Sequence, residues 1–117
     1  MDTKFFDLQR FAIYGTEGND NLVNNADYRL IHGYGGNDKI DSTSFYAPTL
    51  YGDAGNDKVY DYSGDFAKLF GNTGNDSLYV GNSRYVTIDG GDGNDSILTS
   101  YARNASIDGG NGNDIFD

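Results

Sequence analysis

The stretch GNTGNDSLYVGNSRYVTID at residues 71–89 runs directly into GGDGNDSILTSYARNASID at residues 90–108. Both open on G-x-x-G-N-D and both close on Ile-Asp. Working outward, the same hexapeptide stands at Gly15 to Asp20, Gly33 to Asp38, Gly52 to Asp57 and Gly109 to Asp114. Steps between the six opening glycines are 18, 19, 19, 19 and 19 residues, a fixed period with one deletion in the first unit. A period near twenty with one turn motif per unit specifies a solenoid whose units stack on one another.

Two apolar columns flank the turn. Two places after each aspartate stand Leu22, Ile40, Val59, Leu78, Ile97 and Phe116. Two places before each opening glycine stand Ile13, Ile31, Leu50, Leu69, Ile88 and Ile107. Their neighbours are polar or mixed, as strands with one buried face require. Each repeat therefore reads as strand, turn, strand and variable return segment, with no room for a regular helix. The predicted fold is all-β: a parallel β-solenoid (β-roll or β-helix) of about six 19-residue coils around a narrow core. At the usual sheet spacing, six coils stack over roughly 25 Å.

Composition narrows the function. The 117 residues suffice for one small domain. Eight Lys+Arg against eighteen Asp+Glu give a formal charge of −10, which argues against phosphate contact and hence nucleic acid. Glu17 is the sole glutamate, so the acids are almost all aspartate. Aspartate beside 17 glycines belongs to turns and oxygen-ligand metal sites rather than acidic helices. With no cysteine, disulfides and thiolate zinc sites are excluded. EF-hand chemistry fails as well, since no loop ends on a bidentate glutamate. The opening MDTKFFDLQRF lacks the features of a cleaved signal peptide, and no apolar run is long enough to cross a bilayer.

The turn carries the chemistry. Glycine at its first and fourth positions is expected where positive φ is needed, and Asn at the fifth (Asn19, Asn37, Asn56, Asn75, Asn94, Asn113) tolerates left-handed geometry next best. Such a turn can aim several carbonyl oxygens at one point, and the sixth-position aspartate adds a carboxylate; hard oxygen ligands suit Ca²⁺. Stacking puts Asp20, Asp38, Asp57, Asp76, Asp95 and Asp114 in one column about 5 Å apart. At an effective dielectric near 20 each adjacent pair then repels by about 3 kcal/mol. Five pairs cost on the order of 15 kcal/mol, comparable with the whole stability of a small domain. An ion in each of the five gaps turns repulsion into bridging, and five Ca²⁺ match the formal charge. The chain is thus expected to need calcium to fold.

These residues resemble the RTX (repeats-in-toxin, hemolysin-type) calcium-binding family, with its nonapeptide G-G-x-G-x-D-x-U-x. The resemblance implies calcium between successive turns, held by the six aspartates and by backbone carbonyls of each turn's first four residues. Those carbonyls belong to Gly15 to Gly18, Gly33 to Gly36, Gly52 to Gly55, Gly71 to Gly74, Gly90 to Gly93 and Gly109 to Gly112, with the glycines at both ends of each quartet the named ligands. It further implies secretion without a cleaved signal, and an extracellular or bacterial cell-surface location. One motif per nineteen residues, rather than two per eighteen, places calcium along one edge alone. In this the chain is similar to the ice-binding segment of a bacterial RTX adhesin. Its third turn position, however, reads Glu17, Gly35, Ala54, Thr73, Asp92 and Asn111 rather than a threonine row. Paired glycine survives only at Gly90-Gly91 and Gly109-Gly110, so the turns with Thr16, Tyr34, Asp53 or Asn72 are expected to be less regular.

Other features read as structural. Tyr14, His32, Tyr51 and Phe70 form a cross-strand ladder beside the core, with Tyr60 and Tyr79 stacked beyond the second strand. Asp41, Asp53, Asp61, Asp65 and Asp92 read as solvated loop acids. Residues 1–11 lie outside the repeats, and Phe5, Phe6, Leu8 and Phe11 suit a cap over the first coil, leaving 12–117 as the solenoid. No capping element follows the sixth turn and its strand, so the expectation is either end-to-end association through that open edge or a sequence that is a piece of a longer protein. No catalytic constellation emerges. The expected function is a non-enzymatic calcium-binding module of a secreted or surface protein; the alternative is a solenoid that binds ice or carbohydrate on an exposed face.

Overall fold

A three-residue strand that ends at a tight turn cannot bury both faces, so it must find its partner in the next coil. The computed structural model, which describes residues 12–117, shows this arrangement. Six strands precede the turns: β1 (Ala12–Tyr14), β3 (Leu30–His32), β5 (Thr49–Tyr51), β7 (Lys68–Phe70), β9 (Thr87–Asp89) and β11 (Ser106–Asp108). Six follow them: β2 (Asn21–Asn24), β4 (Lys39–Ser42), β6 (Lys58–Asp61), β8 (Ser77–Val80), β10 (Ser96–Thr99) and β12 (Ile115–Phe116). Odd strands form one parallel sheet and even strands the other, each pairing only with the coil above and below. Register follows the repeat: Ile31 opposes Leu50, Leu69 opposes Ile88, and Ile40 opposes Val59. The described residues include no helix.

The two predicted columns are the core. Ile31, Leu50, Leu69 and Ile88 from one sheet meet Ile40, Val59, Leu78 and Ile97 from the other, all at 1 % exposure or less, with Ala67, Val80 and Val86 closing the return side. At the last described coil the columns open, with Ile107 and Phe116 exposed, whereas Ile115 is exposed on the outward face of its strand, at the register of Lys39, Lys58 and Ser96. The return side also holds polar groups that sequence reading placed in solvent or did not single out. Asn24, Ser42 and Asp61 occupy successive inward positions at the ends of β2, β4 and β6 and are fully buried. Asn24 donates to Ser42 Oγ at 3.0 Å, and Gly64 N–H donates to Asp61 Oδ2 at 2.9 Å. Asp61 is thus not a loop acid; burial pushes its carboxyl up to about 6. Asp65 is also engaged, by Arg84 at 2.9 Å.

The aromatic ladder beside β1, β3, β5 and β7 is present. His32 stacks on Tyr51 with centroids 4.4 Å apart, and Tyr51 on Phe70 at 4.8 Å. Tyr60 and Tyr79 meet edge-on rather than stacked. The segment expected to cap the first coil lies outside the described residues.

Candidate metal centre

The six turns stack along the edge where odd strands hand over to even ones. From the second turn onward their second residue, not their first, takes the left-handed conformation: Tyr34, Asp53 and Asn72 have φ of 67°, 70° and 72°. The paired-glycine turns do the same at Gly91 and Gly110, so the turns lacking that pair from Gly33 onward are equally regular, contrary to expectation. At the fourth position glycine is needed for φ from Gly36 onward, as at Gly74 (113°). The opening glycines are needed for space instead. A Cβ on Gly33 would lie 2.5 Å from Asp38 Oδ2 and 2.9 Å from the carbonyl oxygen of Gly52 in the next coil. On Gly15 it would meet Asp20 Oδ2 and the Gly33 oxygen, both at 2.6 Å. At Gly15, Gly33, Gly71 and Gly90 two oxygens thus converge on the place a side chain would fill, and at Gly52 and Gly109 the aspartate Oδ2 alone does.

None of the fifth-position asparagines has positive φ among the described residues. Their role is a ladder: each backbone N–H donates to the preceding coil's asparagine Oδ1, from Asn37 on Asn19 to Asn113 on Asn94, at 2.7–2.9 Å. The aspartates form a second ladder running the other way. Asp20 N–H donates to Asp38 Oδ1 at 2.7 Å, Asp38 to Asp57 and Asp57 to Asp76 at 2.8 Å, Asp76 to Asp95 at 2.8 Å, and Asp95 to Asp114 at 2.9 Å.

That ladder uses one oxygen of each carboxylate. Asp38, Asp57, Asp76 and Asp95 are at most 2 % exposed, and the Oδ2 of each is buried without any hydrogen-bond partner. A buried carboxylate oxygen left bare is expensive. Burial, opposed by the N–H of the preceding coil, pushes Asp57 up to about 7 and Asp76 up to about 8, and also raises Asp38 and Asp95. The end turns differ. Asp20 and Asp114 are half-buried, and Asp20 Oδ2 accepts from Thr16 N–H at 2.6 Å.

The carbonyls divide in the same way. Those of second and third positions pair between coils: Asp53 O accepts from Thr73 N–H, and Thr73 O from Gly55 N–H, both at 3.1 Å. Among the described residues no backbone hydrogen bond reaches the first- or fourth-position carbonyls, such as those of Gly52, Gly55, Gly71 and Gly74.

Residues 30–45, 49–65, 68–84 and 104–117 match the RTX calcium-binding nonapeptide repeat. The chain belongs to that family. The matched segments hold the RTX turns opening at Gly33, Gly52, Gly71 and Gly109; the turn opening at Gly90 lies outside them yet shares their geometry. No curated protein and no solved structure gives a significant match to the chain. The donors present fit calcium, because bare carboxylate oxygens and free carbonyls are hard ligands gathered within one turn of each other. No group of three or more His, Cys, Asp or Glu side chains comes together among the described residues.

Proposed function

We propose that this RTX repeat module folds and stiffens on binding calcium, and that it serves as a non-enzymatic spacer or adhesion segment of a secreted or cell-surface bacterial protein. Four buried, unpartnered Oδ2 atoms in one column carry the reading. Each inter-coil gap would take its ion from the flanking aspartates of Asp20, Asp38, Asp57, Asp76, Asp95 and Asp114. The carbonyls of Gly15, Gly33, Gly52, Gly71, Gly90 and Gly109, and of Gly18, Gly36, Gly55, Gly74, Gly93 and Gly112, would complete the shell. When bound, Ca²⁺ supplies positive charge that offsets carboxylate repulsion along the edge.

The five aspartate-to-aspartate steps support a count of about five ions. Metal binding then supplies the folding free energy that a thin core does not. Residues 1–11 would cap the first coil. The exposed Ile107 and Phe116, at core-column positions, support stacking of the last coil on a further coil or a second copy. The extracellular assignment rests on the family and on the high calcium found outside cells.

Calorimetric titration of calcium into EDTA-stripped protein, followed in parallel by far-ultraviolet circular dichroism, tests the proposal. Uptake of about five ions together with a cooperative gain of β-structure is expected. Full β-structure in excess EDTA would defeat it.

A further inference from the structure

The edge opposite the calcium turns carries an open cleft of about 510 Å³. Phe45, Ser63, Asp65, Asn82, Arg84, Tyr101 and Arg103 line it, and the Asp65 carboxylate is taken up by Arg84. Phe45 and Tyr101 are 75 % and 84 % exposed and belong to coils three apart, roughly 14 Å at the sheet spacing. Tyr101 holds its ring out from a left-handed backbone, φ 61°, a conformation disfavoured for an aromatic residue.

Charge in this cleft runs against the rest of the chain. Asp65, Arg84 and Arg103 occupy the same return-turn position in successive coils: Arg84 N–H donates to Asp65 Oδ1 at 2.9 Å, and Arg84 and Arg103 form a parallel bridge. The Arg84 guanidinium is satisfied by Asp65 Oδ2 through Nη2 at 2.9 Å and Nε at 3.3 Å. Arg103 stands next to that cation with no carboxylate partner among the described residues. An unpaired guanidinium fork in a cleft that also holds two exposed rings, in a chain of formal charge −10, matches a carboxylate-bearing ligand.

We propose that this return-edge cleft binds an acidic oligosaccharide, with sugar faces laid on Phe45 and Tyr101 and a sugar carboxylate held by Arg103. Ser63 and Asn82 supply hydroxyl and amide groups for the ring hydroxyls between them. The floor argues against an extended peptide, because its backbone groups already pair between coils: Phe66 N–H with Arg84 O at 2.8 Å and Arg103 N–H with Ser83 O at 2.9 Å. A peptide strand would find no ladder to join. The site is separate from the calcium edge and draws no ligand from it.

Calorimetric titration of the full chain at fixed free calcium, with trigalacturonate as probe, maltotriose as neutral counterpart and tetraglutamate as acidic peptide, tests this. Trigalacturonate is expected to bind, more weakly at high salt. Arg103→Ala should weaken it about tenfold or more, and so should Tyr101→Asn, which removes the ring but keeps a residue that accepts the left-handed backbone. Both side chains are exposed, and circular dichroism verifies that the variants fold. Absence of trigalacturonate binding, unchanged affinity in both variants, or equal binding of maltotriose or tetraglutamate would overturn the proposal. Because the variants and the wild type share one free calcium level, uptake of calcium by the probe itself cancels.

Discussion

At the scale of one residue, the glycines of the turn do different work, and substitution separates them. The opening glycine has ordinary φ but no room: a Cβ on Gly52 would sit 2.6 Å from Asp57 Oδ2 and 2.9 Å from Asp57 Cβ. Gly52→Ala is therefore expected to lower stability in saturating calcium by about 1–3 kcal/mol, as overpacking does, and to weaken calcium binding, since it displaces a carboxylate that the proposed function makes a ligand. Gly18 offers the contrast. It has no positive φ, and its nearest contact would be Thr16 Oγ1 at 3.7 Å. Gly18→Ala should be neutral or slightly stabilising, because it restricts the unfolded chain at no steric cost. Urea denaturation of the two variants beside the wild type measures both effects. Equal losses at the two sites would show that space around the carboxylate is not what fixes the opening glycine.

At the scale of the coil, the turn ladder and the return turn set local stability. Each asparagine of the ladder satisfies a backbone N–H of the coil above it, as Asn56 Oδ1 does for Asn75 at 2.8 Å. Asn56→Ala should cost about 1 kcal/mol, the net worth of one such bond, read as a lower thermal midpoint with calcium saturating. The return turn stores strain: Tyr28, Ala47, Phe66, Tyr85 and Asn104 have φ of 59°, 52°, 59°, 57° and 53°. Ala47→Gly should relieve it and raise the midpoint by the equivalent of about 0.5 kcal/mol. Phe66→Gly relieves the same strain but loses ring contacts with Tyr46 at 5.3 Å and Tyr85 at 5.2 Å, so it should destabilise. The coil was largely legible in sequence because Ile31, Leu50, Leu69 and Ile88 recur at a fixed offset from an invariant hexapeptide, and offset alone fixes strand, face and register. What escaped was the reason for each turn residue. Tyr34 does not look like a left-handed residue; Asp53 and Asn72 tolerate that conformation, but only backbone angles show that their position demands it. Asp61 escaped too, although it follows Val59 by two places and so falls on the inward face; its charge obscured what its register required.

At the scale of the molecule, the aspartate column links folding, calcium and pH. In the metal-free protein, burial raises Asp57 to about 7 and Asp76 to about 8, from 3.8 unperturbed, and raises Asp38 and Asp95 as well. Between pH 4 and 8 the folded state then holds more protons than the unfolded one, so stability falls as pH rises. The contribution is fully present below about pH 4 and is lost as pH climbs through the folded values near 7 and 8. Calcium reverses the slope, because its ligands must be deprotonated and protons compete for the same oxygens. Metal-free protein should therefore show more β-structure at pH 4 than at pH 8, while calcium affinity should rise from pH 5.5 to pH 8.5. Proton release on binding should appear as a heat that changes with the ionisation enthalpy of the buffer. A calcium affinity that stays flat across that range, with no proton release, would mean that the bare oxygens of the column are not where the ions bind.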